Sequence, residues 1–231
     1  MRTSLLFRWC CISSALAAIV AAASYAGGNQ DPRPATVYGH VELRGFVRAP
    51  SYRDDFYSYR PPGQTTREPD PLRAIVYLEG DNLEPASQPP TAVIDQKGES
   101  FVPHILAVER GARVSFRNSD DIYHNVFSFS KIRRFDLGRY PKGQSRSVVF
   151  DRVGLVRVFC EIHSHMSAFV LVLPHSYFTT TDASGSYRIP NVPAGTYHVV
   201  AWSDPFRLVR KEVRLRSGES SELDFLLEQT R

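Results

Sequence analysis

Beyond its N-terminal leader, this chain carries its apolar residues in short runs that alternate with polar ones and are broken every few positions by Gly, Pro, Asn or Asp. A period of two puts successive side chains on opposite faces of an extended strand, and no stretch keeps the 3.6-residue spacing of an amphipathic helix. The chain therefore reads as all-β, with strands predicted over 36–43, 73–78, 91–95, 104–108, 113–118, 125–129, 145–150, 154–160, 168–173, 185–189, 196–201, 208–216 and 221–227. A hydrophobic content of 42% with 16 Pro and 14 Gly in 231 residues fits a folded protein and excludes collagen-like or disordered chains. Between the first two strands, 46–71 is rich in Pro, Tyr, Arg and Gly and reads as a long surface loop.

Arg2 and Arg8 precede an Ala-rich apolar run over 16–23, which is followed by the small residues Ser24, Ala26, Gly27 and Gly28. This is the pattern of a secretory signal peptide, here residues 1–26 with cleavage after Ala26. A retained membrane anchor is the rival, but the run falls short of the roughly 20 residues that span a bilayer. Neither Cys10 nor Cys11 stands in a lipoprotein pattern, so both leave with the leader and no stable membrane span remains. Removing the leader leaves 205 of 231 residues and takes the formal charge from +4 to +2, because Arg2 and Arg8 leave with it. A periplasmic or secreted location is expected, and a charge of +2 argues against nucleic acid as a partner.

The exported chain then keeps one cysteine, Cys160, and one methionine, Met166, so it has no internal disulfide. In an oxidising compartment a lone thiol is selected against, paired with another chain, or occupied by chemistry. Here the only thiol and the only thioether lie six residues apart in Cys160-Glu161-Ile162-His163-Ser164-His165-Met166, with two imidazoles between them. A thiolate, two imidazoles and a weak thioether form a soft, nitrogen-rich set that suits copper cycling between Cu(I) and Cu(II). Positions 160, 163 and 166 are spaced by three, so a tightly curled loop puts them on one side and points His165 elsewhere. The second imidazole has to come from a distant strand, and His124 is the candidate, at the end of the polar turn Asn118-Ser119-Asp120-Asp121-Ile122-Tyr123.

Taken singly, Cys160 reads as a small buried hydrophobe, Met166 as a core filler and His124 as a capped surface histidine. Zinc gains little from a thioether, and a Cys–His nucleophile lacks an orienting motif here. His40, His104, His175 and His198 are scattered singly and default to surface or core roles.

Three further segments carry a family likeness: Ala92-Val93-Ile94-Asp95 with 101–108; Val108-Glu109-Arg110-Gly111-Ala112-Arg113-Val114-Ser115-Phe116-Arg117-Asn118; and His124-Asn125-Val126. Together with the Cys160-x2-His163-x2-Met166 loop, the stretch 91–174 resembles the cupredoxins, most of all amicyanin and the plastocyanin-like proteins, a group that includes proteins labelled for methylamine utilisation. The resemblance implies a Greek-key β-sandwich with one type 1 (blue) copper. His124, Cys160 and His163 would be its in-plane ligands, Met166 the weak axial one, and Asn125 a residue that steadies the ligand loop. It further implies that His163 is the electron port, flanked by Tyr123 and Met166. Two departures stand out: Ile162 occupies a position where amicyanin-like loops carry Pro, and His165 is an extra imidazole that competes with His163 for copper.

The C-terminal part follows a different pattern. Thr181-Asp182-Ala183-Ser184-Gly185-Ser186-Tyr187-Arg188-Ile189 and Pro193-Ala194-Gly195-Thr196-Tyr197 set turn clusters around a short strand, and they resemble segments of the carboxypeptidase regulatory-like β-sandwich. The opening strands of that family resemble Gly39-His40-Val41 and Ala74-Ile75-Val76-Tyr77-Leu78, which lie far upstream. The expected organisation is a cupredoxin domain over 91–175 inserted between the halves of a second small sandwich, 27–90 and 176–231; a tandem arrangement is the rival.

A copper whose positions are all filled by protein has no place for substrate, so the expected function is one-electron transfer, and the chain is not expected to be an enzyme. The stretch 131–146 holds six basic residues (Lys131, Arg133, Arg134, Arg139, Lys142, Arg146) against one acid, Asp136. It reads either as a solvated loop or as a dock for an acidic redox partner such as a cytochrome or a periplasmic dehydrogenase. The alternatives are a copper-binding or delivery protein, and a structural or carbohydrate-facing β-module with a vestigial site. Multicopper oxidase and nitrite reductase chemistry are disfavoured because no second cluster of copper ligands is present in the sequence.

Overall fold

The computed structural model describes residues 33–45, 72–85, 88 and 90–229; the predicted leader and the 46–71 loop lie outside them. The described residues form seventeen strands and no helix. In chain order these are β1 (Ala35–Arg44), β2 (Ile75–Glu79), β3 (Thr91–Gln96), β4 (Phe101–Val102), β5 (Ile105–Glu109), β6 (Ala112–Asn118), β7 (His124–Ser128), β8 (Phe135–Tyr140) and β9 (Ser145–Phe150). They continue with β10 (Gly154–Phe159), β11 (Ser167–Leu173), β12 (Phe178–Thr180), β13 (Ser186–Val192), β14 (Gly195–Trp202), β15 (Val209–Leu215), β16 (Ser220–Glu222) and β17 (Phe225–Glu228). The all-β class and the two sandwiches expected from the sequence are both present.

Two sheets, ordered β4-β3-β6-β9 and β5-β11-β10-β7-β8, close around a core that contains Ile94, Phe116, Val126, Tyr140, Phe150, Val158 and Val170. A second pair is built from β12-β2-β14-β15 and from β1 flanked by β13 on one side and by β16 and β17 on the other. This pair encloses Val37, Val76, Leu78, Ile189, Val199, Phe225 and Leu227. β1 runs antiparallel to β13 and parallel to β16 and β17, and among the described residues it pairs with none of β3 to β11. The strands of the first sandwich therefore fall, in sequence, between strands that pair with one another in the second.

The two sandwiches share an apolar seam. Ile75, Tyr77 and Val200 from one pack with Ile105, Ala107, Phe169 and Leu173 from the other. This explains two runs that do not alternate: in β2, Ile75 and Tyr77 face the seam while Val76 and Leu78 face the core behind it, and in β11, Phe169 and Leu173 face the seam while Val170 and Val172 face the first core. A strand buried on both faces needs apolar residues at every position.

One glycine ties the chain-distant halves together. Gly185 has φ +89°, and a Cβ there would lie 2.6 Å from the Val41 carbonyl oxygen and 2.7 Å from His40 Nε2. Only a residue without a side chain lets the 182–186 turn come this close to β1.

β8 was not anticipated. It lies within the basic stretch, where Asp136, Gly138 and Arg139 interrupt the apolar alternation, yet Phe135 packs on the first core and Tyr140 is fully buried in it. β4 and β12, of two and three residues, are too short to show a period, and the predicted last strand is two strands, β16 and β17.

Candidate metal centre

Two turns at one end of the first sandwich bring the chemistry together. Asn118, fully buried at the end of β6, builds one of them: its Nδ2 donates to the carbonyls of Ile122 (2.8 Å) and Tyr140 (3.0 Å), and its Oδ1 accepts from the Asp120 N–H (2.9 Å). This turn delivers His124 as the first residue of β7, with its ring completely buried. The other turn joins β10 to β11. It closes on itself through Cys160 N–H to Met166 O (3.3 Å) and Met166 N–H to His163 O (3.0 Å), the tight curl that a spacing of three requires.

The curl brings three donors face to face. His124 Nδ1 and His163 Nδ1 are 3.1 Å apart, and Cys160 Sγ lies 4.0 Å from the former and 3.9 Å from the latter. A point equidistant from these atoms is about 2.1 Å from each, which matches metal–nitrogen bonds of about 2.0–2.1 Å and comes close to a metal–sulfur bond of about 2.3 Å. These three residues form the one group of three or more His, Cys, Asp or Glu side chains among the described residues that is arranged to hold a metal. Met166 is buried in the same core as Cys160. His165 is turned away from the triad, with Nε2 3.6 Å from Glu99 Oε2.

The surroundings orient the donors. Asn125 Oδ1 accepts the Glu161 N–H (3.2 Å) while its Nδ2 donates to Asp136 (2.8 Å), so this side chain ties the ligand loop to β7 and β8. Asp120, which the sequence reading passed over, accepts three N–H groups: His124 Nε2 (2.9 Å), Gly98 N (2.6 Å) and Glu99 N (2.9 Å). A carboxylate on Nε2 fixes the ring and turns Nδ1 towards the centre. The available signal was an acid four residues before a histidine within a polar turn.

Charge follows from this geometry. Burial by itself lowers the pKa of His124, but its hydrogen bonds with Asp120 and Cys160 outweigh burial and raise it to about 9. Burial raises the Cys160 thiol, yet His124 and the backbone N–H groups of Asn125, His163 and Ile162 hold it below the ordinary thiol range. Burial and the neighbouring His124 charge lower His163. Without metal, the site thus pairs a His124 ring that is protonated at neutral pH with a thiol whose ionisation is eased by its neighbours, and His163 is neutral. A metal must displace the His124 proton at any pH below about 9. Its affinity is therefore expected to rise at least about tenfold per pH unit from pH 6 to 8, measured as apparent Kd against pH in a competing-chelator titration.

Much of the basic stretch is engaged within the chain. Arg133 pairs with Asp151 (3.7 Å), Arg139 with Glu161 (3.3 Å) and Lys142 with Asp121 (2.6 Å), while the Arg146 guanidinium lies over the Tyr140 ring and Arg134 over Phe129.

The family model of the carboxypeptidase regulatory-like domain matches residues 167–228. That stretch opens in β11, which pairs with β10 and β5, whereas the partners of β12, β13, β14, β16 and β17 include β1 and β2 from upstream. Curated proteins yield no match to the chain. Among solved structures, a purple cupredoxin from Nitrosopumilus maritimus is similar at 22% identity over 36% of this chain and 99% of that one, with a TM-score of 0.33. A reduced amicyanin variant is similar at 20% identity over 42% of this chain and 98% of that one, with a TM-score of 0.35. A copper-containing nitrite reductase (NirK) from Thermus scotoductus SA-01 is similar at 23% identity over 38% of this chain and 23% of that one, with a TM-score of 0.35.

Proposed function

We propose that this protein is an exported carrier of single electrons that holds one type 1 copper through His124, Cys160 and His163, with Met166 as a weak fourth ligand. The observation that carries this reading is the triangle of one sulfur and two imidazole nitrogens, with edges of 3.1, 3.9 and 4.0 Å, at the buried end of a β-sandwich. Copper bound there would supply a one-electron couple. The rest of the work falls to the protein. His124 and the surrounding backbone N–H groups ease ionisation of the Cys160 thiol, Asp120 locks the His124 ring, and Asn125 holds the loop that carries the other donors. Donors fixed in advance by packing and hydrogen bonds need little rearrangement when the charge at their centre changes, which favours fast electron exchange.

Burial favours this reading over a nucleophilic one. Cys160 is 4% exposed, too enclosed for a substrate carbonyl to reach, and a Met166 thioether as fourth ligand would leave no position open, so the protein is read as a carrier without catalytic activity of its own. His163 is the half-exposed donor and Ile122, Tyr123 and Ile162 are exposed apolar residues beside the two histidines in sequence, which suits a small docking face for a cytochrome or a periplasmic dehydrogenase with an acidic rim. The leader pattern over 1–26 supports an exported site of action.

Stopped-flow mixing of the copper-loaded protein with a reduced acidic cytochrome is the test. A carrier is expected to be reduced at about 10⁵ M⁻¹s⁻¹ or faster, with the rate falling as salt rises. Tight retention of Cu(I) with no exchange over seconds would overturn the carrier reading in favour of copper delivery.

A further inference from the structure

We propose that Glu99 and His165 form a second, surface metal site where Cu(II) is captured before it passes to the His124–Cys160–His163 centre. The inference rests on the copper reading of that centre and concerns how it is filled. Exposure of His124, Cys160 and Met166 is 0%, 4% and 1%, so an ion can approach only from the side of His163, the half-exposed donor. On that side His165 Nε2 and Glu99 Oε2 stand 3.6 Å apart at the surface, with side chains 39% and 35% exposed. The His165 ring lies 6.1 Å, centroid to centroid, from the His163 ring.

The 3.6 Å separation is too long for a strong hydrogen bond, but one ion can bond to both atoms at about 2.0–2.2 Å. Imidazole with carboxylate is a donor pair suited to Cu(II), and the remaining positions fall to water, so the ion is held weakly and can be passed on. Both donors are placed by the elements that build the centre. The 97–100 turn is tied to Asp120 through the N–H groups of Gly98 and Glu99, and Asp120 in turn holds His124. His165 immediately precedes Met166 in the closed ligand loop. Transfer is ligand exchange without a change of oxidation state. Glu99 and His165 release the ion as His163, Cys160 and His124 take it, and the protons held by the His124 ring and the Cys160 thiol leave to solvent.

The test follows the growth of the thiolate-to-copper band after metal-free protein is mixed with limiting Cu(II) alone. Wild type, His165→Ala and Glu99→Gln are compared. Both variants are expected to load at least about tenfold more slowly than wild type, the scale by which a local capture site raises an on-rate, and to reach the same final absorbance. In wild type, a second equivalent of Cu(II) is expected to give a paramagnetic signal with nitrogen and oxygen ligands only, lost in both variants. Loading of the variants at the wild-type rate, or no second signal in wild type, overturns the proposal. If the thiolate band never forms, the copper reading of the centre fails on its own; the second signal still decides the surface site, because it needs neither Cys160 nor His124.

Discussion

Replacing Cys160 with Ser is expected to abolish the intense visible band expected of copper-loaded wild type, while the chain stays folded. The band requires a thiolate sulfur bonded to Cu(II), and Cys160 is the one thiol among the described residues. A serine hydroxyl is not ionised at neutral pH, so one edge of the donor triangle is lost and the two imidazoles that remain bind copper far more weakly. The fold should survive because Ser is smaller than Cys and its hydroxyl meets the same partners, His124 and the N–H groups of Asn125, His163 and Ile162, so the penalty should stay within about 2 kcal/mol. Absorption and paramagnetic spectra of the loaded protein, with circular dichroism of the metal-free one, check both halves. Persistence of the band in Cys160→Ser would end the blue-copper reading.

A chain that begins at Thr91 is expected to keep the metal centre and lose the second sandwich. All strands of the first sandwich, β3 to β11, lie at or after Thr91, so its sheets and core remain complete. The second sandwich loses β1, the strand between β13 and the β16–β17 pair, and β2, the strand between β12 and β14. Val37, Val41, Val76 and Leu78 leave its core, and Ile75 leaves the seam. At about 1.5–3 kcal/mol for each buried side chain this amounts to about 8–15 kcal/mol, comparable with the whole stability of a typical domain. Limited proteolysis should digest the truncated chain beyond Pro174 and spare the part before it. Protection of 176–229 in the truncated chain would show that these residues fold without their upstream partners, as a tandem arrangement requires.

The candidate donors were legible in the sequence because, beyond the predicted leader, it holds one thiol and one thioether, so their clustering with two imidazoles at 160–166 stands out. Their supports were not. Asp120 is one of many acids, and it becomes visible only when its carboxylate is seen to hold His124 and the 97–100 turn together. The same holds for Glu99, which sits 66 residues from the histidine it faces. β8 was hidden for another reason: as an edge strand paired only with β7, it needs few apolar residues and carries its charges outward.

The sequence by itself determined the all-β class, most strand positions and which three side chains, His124, Cys160 and His163, the fold brings face to face, because strand periodicity and donor chemistry are local properties. Only the tertiary structure decided which strand pairs with which, and in what register, across the more than 95 residues that separate β1 and β2 from their downstream partners, and that Glu99 is the residue His165 faces. Strand pairing is non-local: the backbone hydrogen bonds that join β1 to β13 are chemically the same as those that would join it to any neighbour. The choice is made by which apolar faces can be buried together, and that sum is taken over the whole chain at once.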